Sequence, residues 1–240
     1  ALIVSLVGNC LLAFLLFRNS NTEKTDKQVS KEKPFAQRRN GNQSAHAWKV
    51  DQLFKPLNLD TNDIVLAGDS FIANFHLGEM LGNSNIKNRG IQGEFTAGLV
   101  DMVPVLTQGK PKQIVILVGI NDILNDNKHA TIEQNYRKII NQVRTNSPVT
   151  KLVFIGLLPM LTKSGFCNNC NPEIQEVNRK LKRICLENNV AFIDVYDEFL
   201  NNQKTEVSQK YVLDGLHINA EGYFKLKKLL LPHLAIVSDQ

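Results

Sequence analysis

Cysteine is scarce. Four residues in 240 are too few for a disulfide-built scaffold at this length. Only Cys167-Asn168-Asn169-Cys170 forms a close pair. Without a second pair or a suitably spaced histidine, no zinc site is expected there. The pair sits in a Gly/Asn/Pro-rich stretch rather than at a strand-to-helix turn, so a loop disulfide in an oxidising compartment and two ordinary thiols both stay open. Cys10 lies in an apolar run, and Cys185 shares the apolar side of a helical pattern with Ile174, Val177, Leu181 and Ile184, where free cysteine often fills a buried position. Tryptophan is nearly missing: Trp48 is the single one, and it and the scattered phenylalanines read as core rather than as a platform for stacking carbohydrate. Internal repeats are absent. So is G-x-S-x-G, which argues against the nucleophile elbow of an α/β-hydrolase.

Charge of one sign is lacking over most of the chain. The formal net charge is +5, but residues 18–45 hold seven Lys or Arg against three acids, leaving the remainder at +1. A nearly neutral body carries no nucleic-acid footprint. The basic excess belongs to 18–45, a stretch of Asn, Lys, Gln, Ser, Thr and Glu that reads as a disordered linker, able to touch anionic headgroups.

Residues 1–17 are almost wholly apolar and uncharged. A spanning helix needs about 20 such residues, with ~17 the lower limit. No small-x-small cleavage site follows at the usual distance. A single-pass transmembrane signal anchor at 1–17 is therefore preferred over a cleaved signal peptide, holding an extracytoplasmic domain at a membrane. The basic residues after Phe17 pull the orientation the other way under the positive-inside rule. Apolar residues return at 46–60, which reads as a lead-in helix or strap, and one folded domain is expected over 46–240. A composition of 43% hydrophobic and 21% charged residues is ordinary for such a domain.

Within it, short β-branched apolar runs alternate with helical periodicity. Strands are expected at 63–67, 85–88, 113–118, 152–157 and 191–195. Helices are expected at 71–81, 96–107, 131–144, 172–187 and 220–231. The helix at 131–144 sets Ile132, Tyr136, Ile139, Ile140 and Val143 on one face. Such alternation implies an α/β fold, a three-layer α/β/α sandwich around a five-stranded parallel sheet, flavodoxin-like, preceded by the N-terminal transmembrane helix.

The first strand ends on Gly68-Asp69-Ser70, where a helical pattern begins. In open α/β sheets that edge is where ligands bind. Asp69 and Ser70 suit helix capping, and Ser70 equally suits a nucleophile facing the N–H groups of a helix start. Downstream, Asn88-Arg89-Gly90-Ile91-Gln92-Gly93 and Gly119-Ile120-Asn121-Asp122 each follow a strand-like run, and Asp214-Gly215-Leu216-His217 lies near the C-terminus.

With these blocks in order the sequence resembles the SGNH hydrolases, the GDSL-type esterase and lipase superfamily. The residues that carry the resemblance are Ser70, Gly90, Asn121 and His217, and the Asn88-Arg89-Gly90 block is similar to its platelet-activating-factor acetylhydrolase-like and sugar O-acetylesterase branches. Phe71 stands where that signature has leucine, a change of packing under the nucleophile turn. The resemblance implies a metal-independent serine esterase with no cofactor: Ser70 as nucleophile, His217 as base, Asp214 as the acid behind it, and an oxyanion hole of the Ser70 N–H, the Gly90 N–H and the Asn121 amide. The expected partner is a small ester, an acylated glycan or a lysolipid-like molecule. An O-acyltransferase using the same triad and an inactive tethered binding module are the alternatives. Of the other histidines, His76 reads as surface or pocket lining, and His46, His129 and His233 as surface. Residues 157–172 are expected to shape the acyl or leaving-group pocket.

Overall fold

The computed structural model describes residues 46–236. The spanning helix expected at 1–17 and the linker at 18–45 lie outside the described residues. Among the described residues no helix is long and apolar enough to cross a membrane.

Five strands, β1 (Ile64–Gly68), β2 (Ile86–Gly90), β3 (Gln113–Leu117), β4 (Lys151–Ile155) and β5 (Ala191–Ile193), form one sheet in the order β2-β1-β3-β4-β5. All neighbours are parallel. β1 and β3 are buried along their whole length, as strands covered on both faces must be, and this explains their unbroken apolar runs. The order reverses at β1, between β2 and β3, and such a switch point opens a crevice at the carboxyl ends of the strands.

Among the described residues, seven α-helices accompany the sheet: α1 (Ser70–Ala73), α2 (Leu77–Leu81), α3 (Thr96–Leu106), α4 (Ile120–Leu124), α5 (His129–Asn146), α6 (Asn171–Glu187) and α7 (Ala220–Leu230). α3, α5 and α6 pack side by side, and α2 meets α7. The apolar stripe of α5 is buried as its spacing requires, and Cys185 is buried in α6. A π-type helix, Lys49–Phe54, leads in and buries Val50 and Phe54.

Three expectations change. The helix expected over 71–81 is two short helices, because Asn88 Nδ2 takes the carbonyls of Ile72 (2.8 Å) and Phe75 (3.1 Å), so the chain turns at 74–76 instead of continuing. Trp48 is 59% exposed, not core; Val50 and Phe54 are the residues by which the lead-in helix packs inward. His46 is not a free surface residue, since its ring meets the buried Glu94 carboxylate.

Candidate active site

The register of the sheet brings the separate sequence blocks to one edge. Gly68, the last residue of β1, pairs with Gly90 on one side and Leu117 on the other. Ser70 therefore follows β1 where β2 ends in Gly90 and where β3 runs on to Asn121. Gly68 has φ +151°, and a Cβ there would stand 1.8 Å from the Leu117 carbonyl oxygen, so only glycine lets β1 turn this tightly beside β3.

Asp69 caps α1, its Oδ1 accepting from the Phe71 N–H at 3.0 Å. Ser70 is thus the first residue of a helix, whose leading N–H groups have no intrahelical acceptor. Tyr223 from α7 donates its hydroxyl to the Phe71 carbonyl at 3.0 Å, which anchors this turn from the far end of the chain.

His217 arrives on the turn closed by the bridge of Val212 with Ile218, just before α7. Its Nε2 lies 3.0 Å from Ser70 Oγ, and its Nδ1 lies 2.7 Å from Asp214 Oδ2. Asp214 Oδ1 accepts from the N–H groups of Leu216 (3.0 Å) and His217 (2.8 Å). This tight turn is why a spacing of three residues suffices for the carboxylate to reach the ring. Burial alone would raise the Asp214 carboxyl, but the His217 ring and the two backbone N–H groups outweigh it and hold the carboxyl below its ordinary range. The imidazole has two aromatic rings near it, Phe71 at 6.1 Å and Phe166 edge-on at 5.8 Å.

Asn121 is buried, and its Nδ2 donates to the Glu94 carbonyl at 2.9 Å, leaving one amide hydrogen for another acceptor. Gly90, expected in the oxyanion hole, ends β2 beside α1, and its N–H donates to Asn88 Oδ1 at 2.8 Å. What the site needs from this glycine is close approach: a Cβ would come within 2.2 Å of the Ala73 backbone nitrogen in α1.

Two buried carboxyls stand behind the site. Burial, opposed by the Phe71 N–H and reinforced by the nearby Glu94 and Asp122, pushes Asp69 up to about 8. Burial also raises Asp122, against hydrogen bonds from the Thr96 N–H and hydroxyl and from Asn127. The lead-in strap expected at 46–60 is present, but sequence reasoning missed that it braces the β2–α3 loop. Lys49 Nζ donates to the Gly90 carbonyl at 3.2 Å, Arg89 donates to the Leu57 carbonyl at 3.1 Å, and His46 meets Glu94. Nothing in the periodicity of 46–60 signals these contacts, because they depend on which loop the segment crosses. Cys167 and Cys170 are joined as a disulfide.

A serine, an imidazole and a carboxylate in hydrogen-bonded sequence at the C-terminal edge of a parallel sheet form the arrangement of a nucleophile–base–acid hydrolase site. Residues 66–224 match the GDSL-like Lipase/Acylhydrolase family. The chain is 28% identical over 127 residues to a multidomain esterase of Ruminococcus flavefaciens, covering 52% of this chain and 16% of that protein. It is 25% identical over 175 residues to platelet-activating factor acetylhydrolase IB subunit alpha2 of Rattus norvegicus, covering 70% of this chain and 74% of that one. In fold it is similar to a GDSL-like lipase of Bacteroides thetaiotaomicron, with a TM-score of 0.65 at 16% identity over 83% of this chain and 96% of the other. The chain belongs to the GDSL-like lipase/acylhydrolase family and is a carboxylic ester hydrolase.

Proposed function

We propose that the chain is a serine esterase that cleaves short-acyl carboxylic esters through an acyl-enzyme on Ser70. The reading is carried by the continuous line from Ser70 Oγ to His217 Nε2 (3.0 Å) and from His217 Nδ1 to Asp214 Oδ2 (2.7 Å). Asp214 accepts the Nδ1 proton, which leaves Nε2 as the acceptor facing the serine hydroxyl. As Oγ bonds to the ester carbonyl carbon, its proton passes to Nε2 and the carbonyl electrons move onto oxygen. The Ser70 N–H at the start of α1 and the second amide hydrogen of Asn121 receive that oxyanion. Collapse breaks the bond to the alcohol oxygen, which takes the proton from Nε2. Water then repeats the sequence on the acyl-serine, and the carboxylic acid leaves.

The short-acyl preference is supported by Phe71 and Phe166, whose rings both stand within about 6 Å of the imidazole. The relative named platelet-activating factor acetylhydrolase points the same way. The Cys167–Cys170 bond supports placement in an oxidising compartment, in keeping with an apolar anchor at 1–17.

Ser70→Ala tests the reading. Hydrolysis of p-nitrophenyl acetate is expected to vanish while the far-ultraviolet circular dichroism and melting curve are unchanged. Turnover equal to that of the parent would defeat it. Comparing acetyl with octanoyl esters then tests acyl size, with acetyl expected to give the higher kcat/KM.

A further inference from the structure

The segment between β4 and α6 is fixed at both ends. The Leu161 N–H donates to the Gly215 carbonyl at 2.9 Å, inside the turn that carries Asp214 and His217. Thr162 donates its N–H and its hydroxyl to Glu206 at 2.8 and 2.7 Å. At the other end, Asn171 exchanges hydrogen bonds with the Met160 backbone at 3.0 and 2.9 Å. Between these points Lys163 bridges Asn168. Ser164 Oγ gathers the Phe166 and Cys167 N–H groups at 3.3 and 3.2 Å. The disulfide ties Cys167 to the buried Cys170. Phe166, next to the disulfide, meets His217 edge to face with ring planes at 84°.

We propose that Phe166 is a positioning residue for His217 and that the Cys167–Cys170 bond holds it in place, so that reducing the bond slows ester hydrolysis. The inference rests on the Ser70–His217 reading above. A disulfide that spans only two intervening residues removes little chain entropy from the unfolded state, because that contribution grows with loop length. Its effect is therefore local. Around Phe166 the loop tip is lightly held: Gly165, Asn168 and Asn169 are exposed, Asn169 sits at φ +63°, and besides the Lys163–Asn168 bridge and the Asn169 N–H on the Thr162 carbonyl at 2.8 Å, the hydrogen bonds next to Phe166 are those of the Ser164 hydroxyl. Two electrons and two protons from an added dithiol would convert the bond to two thiols while the dithiol closes to its own disulfide. The backbone beside Phe166 then gains the freedom the bond had removed, and the ring no longer limits how the imidazole turns. Catalysis feels this strongly, since misplacing a reacting group by about 1 Å costs on the order of 10²-fold.

The test uses the full chain and p-nitrophenyl acetate, with and without dithiothreitol, in the parent, Phe166→Ala, Phe166→Leu and the double variant Cys167→Ala/Cys170→Ala. Peptide mass spectrometry after alkylation confirms reduction at Cys167 and Cys170. Cys185 stays out of the reaction, because burial pushes its thiol up to about 12. Reduction and the double variant are each expected to lower kcat roughly five- to tenfold, with KM changed less and the melting temperature held. Phe166→Ala shows the same loss but no further response to dithiothreitol, and Phe166→Leu recovers part of it. The proposal is overturned if the verified reduced parent keeps its kcat, if Phe166→Ala keeps its kcat, if dithiothreitol slows Phe166→Ala as much as the parent, or if the loss merely follows a collapse in melting temperature. Failure of the esterase reading looks different: the oxidised parent would then show no Ser70-dependent turnover at all.

Discussion

His217 Nε2 and Ser70 Oγ meet at 3.0 Å across 147 positions of chain. Nothing local brings them together. Ser70 is fixed by the end of β1 at the point where the sheet order reverses, and His217 by a turn that Asp214 closes and that Leu161 fastens to the opposite loop. The contact is a product of sheet order, so its chemistry depends on the fold being complete.

Asp214→Asn removes the acceptor-only carboxylate that fixes the Nδ1 proton, because an amide can also donate to the ring and favour the other tautomer. A buried carboxylate in that position is worth ~10⁴ in kcat. Asp214 has 41% of its side chain exposed, and water replaces part of what it does. A fall of roughly 10²-fold in kcat is expected, with KM within about threefold of the parent in steady-state assays. Because the folded carboxyl lies below its ordinary value, its stabilising contribution is present above that ordinary value and is lost only as pH falls through the lower, folded one. The melting-temperature gap between the parent and Asp214→Asn is therefore flat at neutral pH and closes only in strong acid.

Asp69→Asn changes the pH dependence of stability. The folded carboxyl titrates near 8 and the unfolded one near 3.8, so between those values the folded state keeps a proton that the unfolded state has lost. The parent's stability falls as pH rises across that window. Asparagine keeps an oxygen to cap α1 and does not titrate. Melting curves from pH 4 to 8 should show the variant gaining on the parent steadily, with no further gain above pH 8. Parallel curves would show that Asp69 is not held protonated.

His46 is raised chiefly by its hydrogen bond to Glu94, which outweighs burial, with Asp101 and Asp51 adding to it. The contribution of a raised histidine is complete below its unfolded value of about 6.5 and disappears as pH rises through the folded value. The melting-temperature deficit of His46→Ala should be largest near pH 6 and vanish in alkali. Glu94 also receives Asn121 on its carbonyl, so the same variant should lose some kcat with the same pH trend.

Gly90→Ala forces a methyl group into the Ala73 backbone. Overpacking of this kind costs about 1–3 kcal/mol. Chemical denaturation should register that loss, and activity at saturating substrate should drop further than the folded fraction does, because the displaced element is the helix that begins with Ser70.

Much of this arrangement was legible in the sequence. Strands buried on both faces announce themselves as apolar runs, and the stripe of Ile132, Tyr136, Ile139, Ile140 and Val143 fixed α5. The resemblance to the SGNH hydrolases singled out Ser70, Asp214 and His217, which the fold brings into hydrogen-bond contact. The break at residues 74–76 was hidden because its cause, the Asn88 amide, acts from the next strand. The surroundings of Gly90 were hidden for a related reason, since only the folded chain shows that Asn88 takes its N–H and that α1 leaves no room for a Cβ. Trp48 and His46 exchanged their expected environments because a strap's buried face depends on the loop it crosses, and short segments carry too little periodicity to reveal it.

The most direct test of the central claim is the site and rate of labelling by a small fluorophosphonate, followed by peptide mass spectrometry. A single adduct on Ser70 is expected, absent in Ser70→Ala and formed at least about 10²-fold more slowly in His217→Ala. An adduct on another residue, or a His217→Ala variant labelled as fast as the parent, would contradict the account.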